Sequence, residues 1–316
     1  AGWHRGRAGL PSLRLCNISA LRHPVSVDQY CDTVLSGAKA VLVRLIGGEA
    51  YWPYGVASLQ DLARRRGIAL AFLPADGRRD KVLEGLSTLP PEILKRLRQL
   101  CDQGGAVAAQ MALTELAQAA GLSAAPVPDN SDLSDFGFYD PDHGVIPAPA
   151  PGVLVSFYRS YLTSADLAPV DAMIRALRQA GLPATGVFAP SLKMPGLAAW
   201  LAPHLTATRA VVNLTAFSAR DDQGATPFDA AGCPVFQVAL STAPRALWQA
   251  ENRGLSAADL AMHVVLPEVD GRIFLGAISF KEPQPRDPDL QFSRMIHAPD
   301  AALIAAAVAR IKARLA

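Results

Sequence analysis

The sequence predicts an α/β protein of two Rossmann-like units, each built on a mostly parallel sheet. Short apolar runs alternate with segments of helical period, and this alternation favours parallel strands joined by helices. A Pro-rich passage over residues 123–152 separates two sets of such signals. We therefore expect a first α/β unit over 1–122, a linker or insertion over 123–152, and a second α/β unit over 153–316 with a C-terminal helix. The acidic residues of the passage are Asp129, Asp132, Asp135, Asp140 and Asp142.

In the first unit, capping residues and periodicity indicate four helices and two strands. Ser26 is the expected cap of the first helix, and Gly67 is expected to end the second. The predicted helices span 27–35, 58–66, 91–102 and 106–120, and the predicted strands span 40–46 and 69–73.

In the second unit the alternation is clearer. Apolar residues recur at helical spacing from Val170 until Gly181 stops the helix, and Pro183 prevents its extension. Ser256 is the expected cap of a helix that Pro267 ends. Further helices are predicted over 195–205 and 301–315, and strands over 153–158, 184–188, 210–214, 235–239 and 273–280. A proline-rich passage over 281–299 precedes the last helix.

Composition excludes several classes of function. Half of the residues are apolar and 18% are charged, which disfavours extensive disorder. The net charge of +2 gives no electrostatic support for a nucleic-acid partner. No basic segment leads into an apolar core, and Gln110, Glu115 and Gln118 interrupt the Ala-rich stretch over 105–122. We therefore expect no signal peptide, no membrane association and a cytoplasmic location.

Common cofactor motifs are also missing. The four cysteines form no C-x-x-C pair, and the histidines never stand at i and i+4. The glycines of 181–186 have the spacing of a phosphate loop, but Val187 and Phe188 follow where such a loop needs Lys and Ser or Thr. We expect no cofactor to be bound by these residues.

The stretch Gly47–Gly55 follows an apolar run and is the most distinctive part of the chain. It contains two adjacent glycines, a carboxylate and three aromatic residues, a set that would let a large flat molecule or another chain approach the backbone. The candidate ligand-binding residues here are Glu49, Tyr51, Trp52 and Tyr54. The alternative is an aromatic turn that packs for structural reasons.

Loops after the strands of the second unit are the other candidate site. Ligands of open parallel sheets collect at the carboxyl ends of the strands. Arg159 and Lys193 lie in such loops, and a guanidinium can bind a carboxylate with two hydrogen bonds. An ion pair with a structural acid is the alternative for Arg159.

A metal site formed by His263, Glu268 and Asp270 is a weaker hypothesis. Carboxylate oxygens suit hard cations, and transition metals more often recruit imidazole as well. The five-residue spacing between His263 and Glu268 does not put them on one helical face. The alternative is a turn that is charged for structural reasons.

Several motifs together resemble the large subunit of aerobic cobaltochelatase, the CobN-type family. The nonamer Gly47–Gly55 is similar to that family, and other motifs follow in the family's order over almost the whole chain. These motifs are 10–15 (LPSLRL), 23–28 (HPVSVD), 158–161 (YRSY), 213–217 (NLTAF), 266–271 (LPEVDG) and 279–281 (SFK). The magnesium chelatase H subunit is similar to the last part more loosely.

The resemblance implies a head portion of an ATP-dependent enzyme that inserts Co²⁺ into hydrogenobyrinate a,c-diamide in aerobic cobalamin biosynthesis. Cobalt would be a substrate, and ATP would be bound by partner subunits of the AAA+ type. Family members are far longer and are thought to use a downstream His- and Gly-rich segment in metal insertion, so we expect these residues alone to be inactive. Residue chemistry and position, and not the resemblance, suggest the contacts: Arg159 and Lys193 would face the carboxylates of the ring, and the residues that would stack on or rim it are Glu49, Tyr51, Trp52 and Tyr54.

Two other functions remain open at this point. A small-molecule binding module without enzymatic activity also fits two α/β units. The other alternative is a magnesium chelatase H-like subunit. It would take part in the same class of reaction, with magnesium as the metal and a porphyrin as the ring. Metal preference, ring orientation and oligomeric state do not follow from the sequence.

Overall fold

The computed structural model describes residues 10–75, 79–126, 133–250 and 254–316. Asp129 and Asp132, which belong to the predicted linker, lie outside these residues. The chain divides into two units, one of residues 1–132 with 286–292 and the other of residues 133–285 with 293–316. The second unit therefore includes residues 133–152, which the sequence predicted to be part of a linker.

Over its described residues, the first unit is a small three-layer structure around two parallel strands. Its strands are β1 (Ala40–Leu45) and β2 (Ala69–Pro74), and its helices are α1 (Pro24–Thr33), α2 (Pro53–Arg66), α3 (Lys81–Leu86), α4 (Pro91–Gln103) and α5 (Gly105–Ala119). Every residue of β2 is buried because its side chains alternate between two cores. Leu70 and Phe72 pack with α1 and α2, whereas Ala71 and Leu73 pack with α4 and α5.

Local chemistry explains where two of these helices begin. α1 begins three residues earlier than predicted because the His23 ring accepts the Val25 N–H at 3.2 Å, so His23 and not Ser26 is its cap. α2 begins at Pro53, a residue that suits the first helical position. It ends at Gly67, whose φ of +65° is the expected left-handed cap.

The second unit is built on one large sheet. Among the described residues its strands are β3 (Gly137–Asp140), β4 (Gly144–Ile146), β5 (Gly152–Tyr158), β6 (Ala184–Ala189), β7 (Thr208–Asn213), β8 (Val235–Leu240), β9 (Ile273–Pro283) and β10 (Met295–Pro299). Their order is β10-β9-β8-β7-β5-β6-β3-β4. β5 to β9 are mutually parallel, and the strands outside them, β3, β4 and β10, are antiparallel to their neighbours. The predicted fold class is confirmed.

Helices cover this sheet. They are α6 (Arg159–Thr163), α7 (Ala168–Gln179), α8 (Leu197–Leu201), α9 (Arg245–Ala250), α10 (Ala257–Leu260), α11 (Leu266–Glu268) and α12 (Ala301–Leu315), and a π turn over Ala261–Val265 joins α10 to α11. The largest core lies between α7, α12 and one face of the sheet, with Phe157, Ile174 and Ile304 among its members.

Besides α6 and α9, which were not predicted, three features of the second unit differ from the sequence prediction. The β3–β4 hairpin lies inside the predicted linker, and β10 lies inside the predicted proline-rich passage. These strands have three to five residues each, too few to show a period, and they form by pairing with a neighbouring strand of the sheet. Pro267 does not end its helix, because the wider π turn precedes it and the helix continues through Glu268.

Candidate functional site

A cavity opens at the point where the order of the parallel strands reverses. β5 lies between β6 and β7, so the chain builds the sheet first to one side of β5 and then to the other. Open α/β sheets bind ligands in the crevice that this arrangement creates at the carboxyl ends of the strands. The cavity measures about 410 Å³. Its lining residues are Tyr158, Ser191, Leu192, Lys193, Ala216, Phe217, Ser218 and Leu266.

Lys193 provides the positive charge of this cavity. It follows β6, and its backbone N–H donates to Ser191 Oγ at 3.1 Å, which fixes the turn. The side chain is exposed, and within the described parts of the chain no carboxylate pairs with its ammonium group. A cation beside the apolar side chains of the lining can bind an anionic group of a ligand.

Tyr158 closes the cavity at the end of β5. Its hydroxyl donates to Ala216 O at 3.0 Å and accepts the Ala216 N–H at 3.1 Å, so it ties β5 to the loop after β7. Burial raises the pKa of the Tyr158 hydroxyl above its ordinary value of 10.0. The phenol therefore stays neutral near pH 7 and acts as a fixed hydrogen-bonding group.

A buried polar network crosses the sheet beneath the cavity. Ser156 Oγ donates to Asn213 Oδ1 at 2.5 Å, and Asn213 Nδ2 donates to Gln237 Oε1 at 2.7 Å. Arg272 also donates to Gln237 Oε1 at 2.9 Å and pairs with Asp270 Oδ2 at 2.6 Å. These side chains come from or directly flank four neighbouring parallel strands, and polar groups that are satisfied in this way hold a single geometry.

Asp270 connects this network to the loop after β7. Its carboxylate accepts hydrogen bonds from Ser218 Oγ at 2.5 Å and from the Ala219 N–H at 2.7 Å. The side chains of Asp270 and Arg272 are 1% and 2% exposed. Burial lowers the pKa of Arg272, and Asp270 opposes that shift. Asp270 therefore positions a loop of the cavity.

The predicted metal site is not assembled. Both carboxylate oxygens of Asp270 are engaged as described above, and Glu268 is exposed at the end of α11. His263 is buried in the π turn, and among the residues that the structure describes its Nδ1 has no hydrogen-bond partner. Within the described ranges no group of three His, Cys, Asp or Glu residues could hold a metal ion. The prediction fails because a nearby arginine, rather than a metal ion, neutralises the charge of Asp270.

In the first unit, side chains of the same unit lie close to the backbone of Gly47–Gly55, where the sequence predicted a ligand or another chain. Gly48 has a φ of +71°, and a Cβ there would lie 2.9 Å from Asp80 Oδ2. Trp52 is 7% exposed, and its indole N–H donates to Leu21 O at 2.8 Å. The Trp52 ring covers Gly55, where a Cβ would lie 1.9 Å from Cε2. Trp52 is thus a core residue with no free ring face, contrary to its predicted role of stacking on a ligand.

Three other candidates of this stretch are exposed. Glu49 opens a short 3₁₀ turn at the end of β1, and Tyr51 is 53% exposed. Tyr54 is 44% exposed, and its hydroxyl donates to the Asp28 carboxylate at 2.9 Å, a bond that raises the pKa of Tyr54. These side chains remain available for contact with a ligand or a protein.

Arg159 does not belong to the lining of the cavity in the second unit. The residue is 8% exposed, and its guanidinium donates to Ser134 O and Leu133 O at 3.0 Å each. Burial lowers its pKa. The structure thus gives Arg159 a role in holding the chain that precedes β3, in place of the predicted contact with ligand carboxylates.

The roles of Phe217, of Leu266 and of the network beneath the cavity were not predicted from the sequence. A signal for the network was present, because Asn213 and Gln237 are polar residues inside otherwise apolar strands. Such residues need buried partners. The conformation of Phe217 had no local signal.

Among the described residues, no helix combines the length and the apolar character that crossing a membrane requires.

Comparisons with known proteins agree on one family. Residues 99–316, more than two thirds of the chain, match the family model described as CobN/Magnesium Chelatase. The aerobic cobaltochelatase subunit CobN of Sinorhizobium sp is 33% identical over 326 residues, which cover 95% of this chain and 25% of that relative. The protein of the same name from Pseudomonas aeruginosa is 35% identical over 285 residues, which cover 86% of this chain and 23% of the relative.

A solved structure supports the fold. The catalytic subunit of cobaltochelatase from Mycobacterium tuberculosis is similar with a TM-score of 0.65 at 21% identity, over 92% of this chain and 26% of that one. This chain thus spans about a quarter of the length of the relatives that it matches. The family match and the two curated relatives show that the chain belongs to the CobN/magnesium chelatase family.

Proposed function

We propose that this chain is a head portion of the large subunit of an ATP-dependent cobaltochelatase and that it binds the corrinoid substrate. The substrate would be hydrogenobyrinate a,c-diamide, into which the whole enzyme inserts Co²⁺ during aerobic cobalamin biosynthesis. The observation that carries this proposal is Lys193, a cation with no carboxylate partner among the described residues, which lines the cavity at the switch point of the sheet. The names of the relatives, both aerobic cobaltochelatase subunits, supply the reaction.

The cavity suits one edge of such a ligand. A corrinoid is a large ring with carboxylates on its periphery, and a space of about 410 Å³ is in the range of pockets for drug-sized molecules. An edge of the ring would enter, and the rest would lie outside. Lys193 would pair with a carboxylate, while Tyr158 and Leu192 would contact the ring edge.

The first unit offers a second set of contacts in this proposal. Glu49, Tyr51 and Tyr54 are exposed at the end of β1, and aromatic rings with polar tips suit both ring ligands and protein partners. We propose that they contact either the corrinoid or the AAA+ ATPase subunits.

The chemistry of insertion would be shared with parts of the enzyme outside these residues, because the relatives are about four times as long. We expect the 316 residues to bind corrinoid and to insert no cobalt, even with ATP and the ATPase subunits present. ATP in the cytoplasm would drive the intact complex, so we propose that the protein is cytoplasmic.

A direct binding titration tests the proposal. The chain is titrated with hydrogenobyrinate a,c-diamide, and binding is followed by the visible absorption of the ring. We expect saturable binding that Lys193→Gln weakens about tenfold, because one charge-assisted hydrogen bond is lost. Lys312→Gln, on the exposed face of α12, is the matched control and should bind like the unmodified chain.

Two results would contradict the proposal. One is the absence of saturable binding, and the other is equal affinity of Lys193→Gln and Lys312→Gln. A parallel titration with protoporphyrin separates the cobalt from the magnesium branch of the family. If the porphyrin binds more tightly than the corrinoid, the proposed substrate becomes a porphyrin.

A further inference from the structure

Phe217 combines a strained backbone with a side chain whose exposure contributes little to the stability of the fold. Its φ of +65° lies in the left-handed region, which a bulky side chain rarely adopts. Its side chain is 48% exposed although it is large and apolar. The fold itself gains little from a large ring at this position. The ring lines the cavity, together with Leu266 and Lys193.

The backbone of Phe217 is held from the π turn. Its N–H donates to Met262 O at 2.7 Å. In a π turn each carbonyl pairs with the N–H five residues later, and for Met262 that residue is Pro267, which has no N–H. The missing donor leaves the Met262 carbonyl free to accept from Phe217.

The residues on both sides of Phe217 are also fixed. Ala216 exchanges two hydrogen bonds with the Tyr158 hydroxyl, and Ser218 donates to Asp270. With the bond to Met262, three anchors from separate parts of the second unit determine three consecutive residues. Strain of this kind persists only where the surrounding structure over-determines it, and such positions are concentrated at ligand sites.

From this arrangement we infer that Phe217 is a platform for the face of a flat, conjugated ring acid bound in the cavity. The inference rests on the proposed function and adds the residue that orients the ring. Lys193 binds a carboxylate at the ring's edge, and Phe217 lies against the ring's face, so the two contacts together define one orientation. Asp270 is a positioning residue that acts through the loop, whereas Tyr158 holds the loop and also lines the cavity.

Substitutions that keep or remove the ring test this inference in the same corrinoid titration. Phe217→Gly removes the ring and relieves the left-handed strain, so the melting temperature should stay at or above that of the unmodified chain. Its dissociation constant should rise about fivefold, because a stacking contact is lost. Phe217→Trp keeps an aromatic face and should retain the affinity. Ala165→Gly is the matched control, since Ala165 is exposed, has a φ of +54° and lies outside the cavity lining.

The outcomes separate this inference from the proposed function. If Lys193→Gln weakens binding and Phe217→Gly binds like Ala165→Gly, Phe217 is not a platform for the ring. The proposal that the cavity binds the corrinoid is then retained. If the unmodified chain binds no corrinoid, both are wrong. If Phe217→Gly and Phe217→Trp lose affinity equally, an aromatic face is not what the ligand contacts, and the inference fails.

Discussion

The loop after β1 and the loop after β7 each place an aromatic residue beyond the end of a parallel strand, with opposite results. Trp52 is buried against Gly55, whereas Phe217 is half-exposed at the wall of a cavity. The first loop uses glycines for its left-handed positions, and the second uses the bulky residue itself. An aromatic residue at a strand end therefore does not by itself indicate a binding surface.

The hydrogen bonds of the two loops explain the difference. In the first loop the indole N–H has a partner inside the unit, Leu21 O, so burial of the ring leaves no polar atom unsatisfied. In the second loop the backbone of Phe217 and its neighbours is held by Met262, Tyr158 and Asp270, and the ring is half-exposed in the lining of the cavity. The anchors determine where the ring lies.

The largest expected effect tests the first loop. Trp52→Ala should lower the free energy of unfolding by about 4 kcal/mol, because it leaves a cavity in the core and removes a buried hydrogen bond. Denaturation with urea measures this loss. Tyr51→Ala is the control on the same loop and should change stability little, because Tyr51 is exposed. Equal stability of the two variants would mean that Trp52 is not a core residue. The contrast between Trp52 and Phe217 would then be wrong.

A slightly smaller effect is expected for the anchor of the second loop. Asp270→Asn should lower the free energy of unfolding by about 3 kcal/mol, because Arg272 is left with an unpaired buried charge. Glu268→Gln, two residues earlier and exposed, should stay within about 0.5 kcal/mol of the unmodified chain.

Cobalt provides a second readout for Asp270. If the carboxylate only positions the loop, adding Co²⁺ should leave the melting temperature unchanged. A Co²⁺-dependent rise that Asp270→Asn abolishes would restore the metal-site hypothesis.

The smallest expected effect is a pH dependence that originates beside the second loop. Burial lowers the pKa of His263 in the π turn below its ordinary value of 6.5, with Asp259 opposing and His297 adding to the shift. The unfolded chain then binds a proton at a higher pH than the folded chain does. This contribution to stability is complete above about pH 6.5 and is lost as the pH falls through the folded pKa.

Urea denaturation at a series of pH values between 7 and 5 measures this dependence. His263→Gln should make stability fall less steeply on acidification, and His297, whose pKa burial also lowers, accounts for part of what remains. His143→Gln, at a side chain that is 78% exposed, is the control. Identical slopes for the two variants would show that His263 is not buried in its neutral form.

Local signals predicted the regular part of the molecule well and the site only in part. The helix over 301–315 and the five parallel strands of the second unit are found within three residues of the predicted bounds, because their apolar patterns are long enough to be read locally. Lys193 could be found because it follows such a strand. The geometry of Phe217 depends on Pro267, fifty residues later, and the burial of Trp52 depends on Leu21. Neither feature could therefore be predicted from a local sequence pattern.

One segment of the first unit is distant from the rest of that unit in the sequence, and this affects the order in which the unit is synthesised. Residues 286–292 belong to this unit, where Leu290 O accepts the Leu15 N–H at 3.0 Å and Asp289 O accepts from Arg14 at 2.7 Å. The ribosome makes residues 133–285 before it reaches them. At elongation rates of roughly 5 to 20 residues per second this interval lasts roughly 8 to 30 s. For that time the first unit lacks one of its own segments, and nascent chains stalled before residue 286 should expose the backbone around Leu15 to proteases.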